Sequence, residues 1–258
     1  SPGKQREEWD GGGLSKLTLT PPSPPWLCTP SSLCTLECSD DIPLRMSVRD
    51  GTCFFDQLSL PQCLREYIAK PYITVRELCD FDYKGNRVPG QEPLSFEELK
   101  AAIVESEAGM LHADSILYPL STCWPMGHSW SSMVAQHTMT GACLEAGIRP
   151  EQFLCESNGL PLPGVPRVSV ATDDIILFER LSGAAFEHEG SASYEFSELD
   201  KVWATHGILG KEDKHLDRVL SGTALGMSLV QGKFIMPKAA RLVNIVCAIR
   251  CLLERPIT

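Results

Sequence analysis

The chain has 258 residues, of which 43% are hydrophobic, and its formal net charge is −10 at pH 7. This length and apolar content suffice for one large or two small domains with a buried core. The sequence excludes a membrane span, because no apolar run approaches about 18 residues, and its polar beginning is unlike a signal peptide. We therefore expect an intracellular protein, cytoplasmic or nuclear, with no membrane partner.

The charge is unevenly distributed along the chain. Residues 201–258 contain 9 Lys and Arg against 4 Asp and Glu, whereas residues 1–200 contain 14 against 29. A basic C-terminal segment is suited to contact a phosphate backbone, although ordinary variation of a protein surface also explains the asymmetry.

The chain contains 11 cysteines. An odd number in a chain of this size, with most of them alone in apolar surroundings, is typical of reduced core thiols. One cluster exists, at Cys28, Cys34 and Cys38. Its spacing lacks a Cys-x-x-Cys pair and no histidine is near, so the sequence does not favour a zinc site.

The N-terminal part predicts a tail followed by a strand. Residues 1–32 contain runs of glycine and proline and little that forms a core, which predicts a disordered or extended segment. The alternation of apolar and polar residues over 44–50 then predicts a strand that ends at Asp50. A short helix or turn is predicted to follow.

The middle of the chain carries weaker signals. A second strand, confined to a sheet edge by its proline, is predicted at 67–75. A peripheral insertion is predicted at about 80–112, where Ser95 and Glu98 have the capping-box spacing of an amphipathic helix.

A strand beginning at Leu117 runs into the turn at 125–127, which ends in glycine. Glycine there permits a ligand or base pair to approach the backbone closely, although a plain strand-to-helix turn explains it as well. The next helix is predicted to begin after a cap at Ser129 and to end at Gly147.

Two short β-prone apolar runs flank Asp173 and Asp174, which predicts a hairpin over 168–178 with both acids at its tip. Adjacent carboxylates repel each other and Asp is a poor strand former, so this step is locally unfavourable. A cation between these acids and a third carboxylate removes that cost, and three carboxylates around Mg²⁺ suit phosphoryl and nucleotidyl transfer. An ordinary surface turn is the alternative.

The C-terminal part is predicted to contain more regular elements. These are a helix at 197–204, a polar run at 211–215, two strands at 223–230 and 231–236 joined by a tight turn, and a helix over 238–254 opened by Pro237.

The order of these segments resembles the palm of retroelement reverse transcriptases. Asp50, followed five residues later by Phe55, looks like the family's first acidic motif. The segment 124–127 is similar to its Leu-Pro-Gln-Gly turn, and residues 171–174, Ala-Thr-Asp-Asp, are similar to its aromatic-x-Asp-Asp turn.

Two further segments extend the resemblance, which covers residues from about 44 to 253. The segment 207–214 is similar to the family's next motif, which carries a lysine. Residues 225–227, Leu-Gly-Met, are similar to the hairpin that grips the primer.

The resemblance implies an α+β fold, a polymerase palm in which a small antiparallel sheet is backed by helices near 130–146 and 195–205. It implies two Mg²⁺ (or Mn²⁺) ions, with Asp50 and Asp173 as principal ligands and Asp174 as a supporting carboxylate. The implied activity is RNA-directed DNA polymerisation, a two-metal nucleotidyl transfer. The implied partners are an RNA/DNA template-primer and deoxynucleoside triphosphates, and the oligomeric state is left open.

The same resemblance implies a nucleotide site. Phe55 is expected against the sugar of the incoming nucleotide, where its ring leaves no room for a 2′-hydroxyl. Gly51, Met126 and Gly127 are expected to line the nucleotide and the templating pair.

Two more roles follow from the resemblance. Lys214, or else Lys211, is expected to meet the pyrophosphate as a positive charge or proton donor, with a solvated surface charge as the alternative. Leu225, Gly226 and Met227 are expected to grip the primer.

The chain departs from the family in several places. Ala171 stands where an aromatic residue is usual, and Met126 where a glutamine is usual. The implied division is a palm at 33–230, which includes the insertion, and a palm-to-thumb hairpin and helix at 231–258. Fingers are expected to be largely missing, as in a truncated or decayed copy.

Two rival functions remain open from the sequence. One is a catalytically inactive remnant that acts as a nucleic-acid-binding or structural module. The other is a metal-dependent hydrolase that uses the same acids, but no histidine lies inside the three acidic motifs to serve as its base.

Overall fold

The structure, a computed structural model, describes residues 11–36, 41–79, 93–103, 111–156, 158, 164–180 and 192–253. The chain divides into two compact units, the first comprising Ser1–Leu58 and Pro125–Thr258 and the second Ser59–Trp124. Within the described residues, no helix is both long enough and apolar enough to cross a lipid bilayer.

A four-stranded antiparallel sheet forms the centre of the first unit. Its strands are β1 (Leu44–Asp50), β4 (Arg167–Ala171), β5 (Asp174–Arg180) and β6 (Leu216–Val219), in the spatial order β4–β5–β1–β6. Every residue of β1 is buried, because the strand has neighbours on both sides and is covered on both faces. The predicted strand at 44–50 and the predicted hairpin of β4 and β5 are confirmed.

The two faces of β1 differ in chemistry, because successive side chains point to opposite faces of a sheet. Leu44, Met46 and Val48 belong to an apolar cluster that also contains Ile176 and Phe178 of β5. The intervening residues, Arg45, Ser47 and Arg49, are buried and polar.

Helices α7 (Ser131–Glu145) and α8 (Tyr194–His206) back the sheet, as predicted. The Arg49 guanidinium donates to the Asp200 carboxylate of α8 at 2.8 Å and lies 4.9 Å from the centre of the Phe196 ring. The arginine face of β1 is therefore held by α8. Helix α8 begins after Ser193, whose hydroxyl accepts from the Phe196 N–H at 3.1 Å.

The predicted cap of α7 at Ser129 is wrong. The helix begins at Ser131 after Trp130, and no side chain caps it. The Ser131 hydroxyl instead donates to the Pro125 carbonyl oxygen at 2.7 Å, which ties the start of the helix to the preceding turn. This hydrogen bond to the turn therefore holds the first turn of the helix in place, as a capping side chain does in other helices.

The described N-terminal part is not the disordered or extended tail that the composition predicted. It contains helices α1 (Gly12–Leu17) and α2 (Pro30–Leu33), and between them Leu27 pairs in parallel with Val170 at the outer edge of β4. Trp26 stacks on Phe153 with the ring centres 5.0 Å apart. Pairing with a sheet edge uses backbone groups, which the proline-rich composition does not reveal.

The C-terminal part forms a separate sheet of β7 (Gly222–Ala224), β8 (Met227–Val230) and β9 (Phe234–Pro237), followed by α9 (Ala239–Leu253). The predicted pair of strands joined by a tight turn is confirmed in β8 and β9. The predicted extent of the first strand is wrong, because Leu225 and Gly226 adopt left-handed φ angles of 49° and 73° and break it into β7 and β8. Pro237 ends β9 and does not open the helix. The predicted end of the helix at Glu254 lies outside the described residues.

The second unit contains α4 (Gln62–Arg65), β2 (Ile73–Thr74), α5 (Val75–Cys79), α6 (Phe96–Ala102) and β3 (Ile116–Leu117), with β2 and β3 paired. The predicted strand at 67–75 is wrong except at β2, because residues 67–72 form turns with a single isolated bridge at Ala69, and α5 begins at Val75. The capping box of Ser95 and Glu98 is confirmed. This unit contains more residues than the insertion predicted at 80–112. Residues 80–92 and 104–110 of that insertion lie outside the described residues.

Candidate active site

Strands β1 and β5 place two of the predicted acids directly opposite each other. In the antiparallel register, Asp50 at the end of β1 pairs with Asp174 at the start of β5. Directly opposite side chains lie on one face, with Cβ atoms about 4.5–5.5 Å apart. Asp50 is almost completely buried. The sheet thus brings together two carboxylates that lie more than 120 residues apart in the sequence.

The third acid, Asp173, lies in the turn between β4 and β5. Its carbonyl oxygen accepts from the backbone N–H of Gly51 at 3.0 Å, so the turn is fixed to the end of β1. Thr172, the preceding residue, has a left-handed φ of 56°. Asp50, Asp173 and Asp174 are therefore neighbours at one end of the sheet.

The electrostatics of this group show that the carboxylates crowd one another. The pKa of Asp174 is raised to about 6, first by burial and then by the negative charges of Asp173 and Asp50. The positive charge of Lys214 acts in the opposite direction. Asp174 thus keeps its proton up to a higher pH than an ordinary aspartic acid does.

Lys214 supplies a cation that contacts the acids. Its ammonium contacts the Asp50 carboxylate, and this hydrogen bond is the main reason why the pKa of Lys214 is raised. The side chain is 52% exposed although its partner is buried. The lysine can therefore reach both the acids and the solvent.

A short backbone ladder holds the lysine segment in place. The Lys211 N–H donates to the Asp50 carbonyl oxygen at 2.8 Å, and Gly51 pairs with Gly210. In helix α3 (Phe54–Gln57), the Gln57 side chain both donates to the Leu209 carbonyl oxygen at 3.1 Å and accepts from the Leu209 N–H at 2.7 Å. Of the two predicted lysines, Lys214 has the side chain that contacts an acid, whereas Lys211 contributes its backbone.

The donor set suits a hard divalent cation, since it consists of carboxylate oxygens. In their present positions, however, no three Asp, Glu, His or Cys side chains among the described residues are arranged to hold a metal ion. The structure shows instead the Lys214 ammonium on the Asp50 carboxylate, which neutralises part of the charge that a metal would neutralise. Of the predicted cysteine cluster, Cys28 is buried, Cys34 is exposed and Cys38 lies outside the described residues.

The residues predicted to bind the nucleotide differ from one another in burial and backbone conformation. Phe54 is fully buried and Phe55 is half-buried, so Phe54 is the core aromatic of α3. Met126 is 39% exposed, and Gly127 has a φ of 110°, which only glycine adopts readily. Gly51 is closely packed, because an added Cβ would lie 3.1 Å from the Met139 and Phe54 side chains.

The predicted primer-grip residues occupy the other sheet of the first unit. Gly226 lies in the turn between β7 and β8, and Leu225 and Met227 pack against the apolar cluster that contains Leu44 and Met46. Leu44 is at the opposite end of β1 from Asp50.

Two glutamines that fix the backbone near the acids were not predicted from the sequence. Gln57 fixes the lysine segment, and Gln136 of α7, which has no exposed surface, hydrogen-bonds to the backbone on both sides of Ala171. The sequence does contain a signal for Gln136. Gln136, Met139 and Cys143 lie on the same face of α7, which is buried, and a polar residue on a buried helix face indicates a specific hydrogen-bonding role.

Comparison with known proteins adds information on the fold alone. No protein-family model matches the sequence, and no curated protein sequence matches it. Among solved structures, a foamy viral protease-reverse transcriptase in complex with double-stranded DNA matches with a TM-score of 0.52 and 14% identity. The fold is similar to that of a reverse transcriptase. The match covers 95% of this chain and 31% of that chain, so this chain spans about a third of its neighbour's length.

Proposed function

We propose that this chain performs RNA-directed DNA synthesis by metal-dependent nucleotidyl transfer. The observation that carries the proposal is the cross-strand pairing of Asp50 with Asp174, beside Asp173, in a reverse-transcriptase-like fold. Carboxylates this close repel one another, and burial together with this repulsion raises the pKa of Asp174 to about 6. Asp50 and Asp173 are the principal ligands of two Mg²⁺ ions in this proposal, with Asp174 in support.

The remaining residues have separate roles in the proposed reaction. Mg²⁺ held by Asp50, Asp173 and Asp174 would lower the pKa of a primer 3′-hydroxyl and would stabilise charge on the pyrophosphate. Lys214, half-exposed next to Asp50, leaves the carboxylate and supplies a positive charge or a proton to the pyrophosphate. Phe55 borders the sugar of the deoxynucleotide, and Gly127 supports the templating pair.

The proposed partners are an RNA/DNA template-primer and deoxynucleoside triphosphates. The basic balance of residues 201–258, with 9 Lys and Arg against 4 Asp and Glu, supports contact with a phosphate backbone in an otherwise acidic chain.

The test is a titration of Mn²⁺ into the intact chain, followed by electron paramagnetic resonance, with the variants Asp173→Asn and Asp114→Asn. Asp114 is an exposed carboxylate in an ion pair with Arg76, so it serves as the matched control. We expect Asp173→Asn to weaken Mn²⁺ binding about 10–100-fold and Asp114→Asn to leave it unchanged. Equal affinity in all three proteins would remove the proposed metal site.

A second candidate is an inactive relative that binds nucleic acid or has a structural role. The observation that favours it is the lysine–carboxylate contact, because Lys214 already neutralises Asp50 without a metal. Primer extension separates the candidates: Mg²⁺-dependent addition of a deoxynucleotide to a primer, lost in Asp173→Asn, supports the polymerase. Template-primer binding without extension, unchanged by Mg²⁺, supports the inactive relative.

A further inference from the structure

Two chain segments, 26–31 and 153–156, lie along the outer edge of β4, and each contains a buried cysteine. Leu27 pairs in parallel with Val170 of β4, and Phe153 pairs in parallel with the residue two positions earlier in that strand. Both segments therefore run in the same direction as β4, and in the same direction as each other.

Contacts on both sides of the cysteines define how the two segments are aligned. The Trp26 and Phe153 rings stack with their centres 5.0 Å apart. The Thr29 hydroxyl donates to the Glu156 carboxylate at 2.9 Å across a separation of 127 positions. Trp26 and Phe153 have the same separation in the sequence. The two cysteines have it as well, so the alignment places them opposite each other.

The surroundings of the two thiols agree with this alignment. Cys28 and Cys155 are both buried, and neither is part of a disulfide. Cys28 belongs to the apolar cluster that also contains Leu154, the residue before Cys155. Burial is the main cause that raises the pKa of the Cys28 thiol, and negative charge on Cys155 raises it further. A charge on one sulfur therefore acts on the other.

The spacing of such segments suits a bond between the sulfurs. Neighbouring extended segments lie about 4.7–4.9 Å apart. The Cα atoms of a disulfide usually lie about 4.4–6.8 Å apart, so opposite residues in adjacent segments are within the range that a disulfide requires.

We propose that Cys28 and Cys155 are a redox-sensitive pair, which forms a disulfide when the protein meets a peroxide and so ties the 26–31 segment covalently to the edge of β4. This inference is independent of the proposed polymerase activity. In a reducing compartment the pair remains as two thiols, and the bond forms only while oxidant is present.

The proposed oxidation proceeds in two steps. The sulfur of one cysteine attacks a peroxide oxygen and the O–O bond breaks, which gives a sulfenic acid and releases one water. The second sulfur attacks the sulfenic sulfur, the S–S bond forms, and the sulfenic hydroxyl leaves with the second thiol proton as another water. Two thiols and one hydrogen peroxide thus give one disulfide and two waters.

The first measurement is peptide mass spectrometry of the folded chain after exposure to hydrogen peroxide. We expect a Cys28–Cys155 cross-link that dithiothreitol removes. The melting temperature should be about 5–15 °C higher while the bond is present, because the cross-link restricts the unfolded chain. Absence of this cross-link from the oxidised folded chain, or its formation only in denaturant, would overturn the proposal.

Three variants accompany this measurement. Cys28→Ala and Cys155→Ala should each abolish the cross-link and the rise in melting temperature, and one suffices if the other does not fold. The matched control is Cys34→Ala, because Cys34 is an exposed thiol only six residues after Cys28. It should keep both effects. A rise in melting temperature that survives Cys28→Ala would assign the effect to other cysteines and contradict the proposal.

A second measurement tests the alignment of the segments through the equilibrium between disulfide and dithiol in glutathione buffers. Glu156→Ala removes the carboxylate that accepts from the Thr29 and Ser31 hydroxyls. We expect the ratio of disulfide to dithiol to fall about two- to fivefold. The control is Glu151→Ala, since this exposed glutamate pairs with Arg149 instead, and its ratio should equal that of the wild type. Equal ratios in all three proteins would refute the alignment on which the proposal depends.

Discussion

The backbone N–H of Gly51 donates a hydrogen bond of 3.0 Å to the carbonyl oxygen of Asp173. This bond joins the residue after one acid to the backbone of another, so Asp50 and Asp173 cannot move independently. Gly51 also packs against Met139, where an added Cβ would approach the methyl carbon to 3.1 Å. The geometry of the acids is thus sensitive to the size of the residue at position 51.

Replacement of Gly51 by alanine tests this sensitivity. We expect Gly51→Ala to lower the free energy of unfolding by about 1–3 kcal/mol, because the new methyl group overpacks the contact with Met139 and Phe54. Gly141→Ala is the control: it lies in α7 with open space around an added Cβ, so we expect a gain of about 0.5–1 kcal/mol. Denaturant unfolding measures both, and a loss at Gly141 as large as at Gly51 would contradict the argument.

The raised pKa of Asp174 predicts a pH-dependent stability. The folded value is about 6 and the ordinary value is 3.8, so between these the folded chain binds more protons than the unfolded chain. Stability of metal-free protein therefore falls as the pH rises from about 4 to 6, and this contribution changes little outside that window. Asp174→Asn should remove the fall.

The measurement for Asp174 is denaturant unfolding in a chelating buffer at several pH values. Nuclear magnetic resonance titration of the side-chain carboxyl carbon should place its midpoint above those of exposed aspartates. Parallel stability profiles for the wild type and Asp174→Asn would show that this carboxyl does not titrate in the predicted window.

Removal of the Lys214 ammonium should affect binding and catalysis in opposite directions. Lys214→Met frees the Asp50 carboxylate, so we expect Mn²⁺ to bind about two- to fivefold more tightly, the gain being modest because the lysine is half-exposed. If Lys214 protonates the pyrophosphate, deoxynucleotide addition should slow by about 10²–10⁴-fold. Lys211→Met is the control, since its backbone N–H, which methionine retains, is the group that binds Asp50. Equal effects of the two substitutions would deny Lys214 a specific role.

Phe54 and Phe55 offer a matched pair in one short helix. Phe54→Ala should cost about 3–5 kcal/mol of stability, because the ring is fully buried. Phe55→Ala should cost only about 1–2 kcal/mol, because the ring is half-buried, and should admit ribonucleotides by removing a clash with the 2′-hydroxyl. Melting curves and the ratio of deoxynucleotide to ribonucleotide incorporation test both. An unchanged ratio with a large loss of stability would assign Phe55 to the core.

The sequence predicted the parts of the site that depend on local pattern. Alternation over 44–50 located Asp50 at a strand end, and two apolar runs located Asp173 and Asp174 at a hairpin tip. Asp50 and Asp174 face each other because β1 and β5 pair in register, a long-range consequence of two local patterns.

The parts that could not be predicted depend on partners far away in the sequence. Lys214 reaches Asp50 across 164 positions, and Gln136 reaches Thr172 across 36, and neither residue has a neighbour that reveals its partner. The segment at Leu27 was predicted as a tail because its attachment to β4 uses backbone groups, which carry no residue signature.

The alternation of β1 has a consequence for the length of the strand. Arg49 and Asp50 are adjacent, and their side chains leave the sheet on opposite faces, one toward Asp200 and the other beside Asp174. Deletion of one residue from the strand would exchange these faces and put a guanidinium against the remaining acids. Such a chain would repel a metal ion even though all three acids were still encoded. We therefore expect related chains to tolerate substitutions within β1 far more readily than any change in the number of its residues.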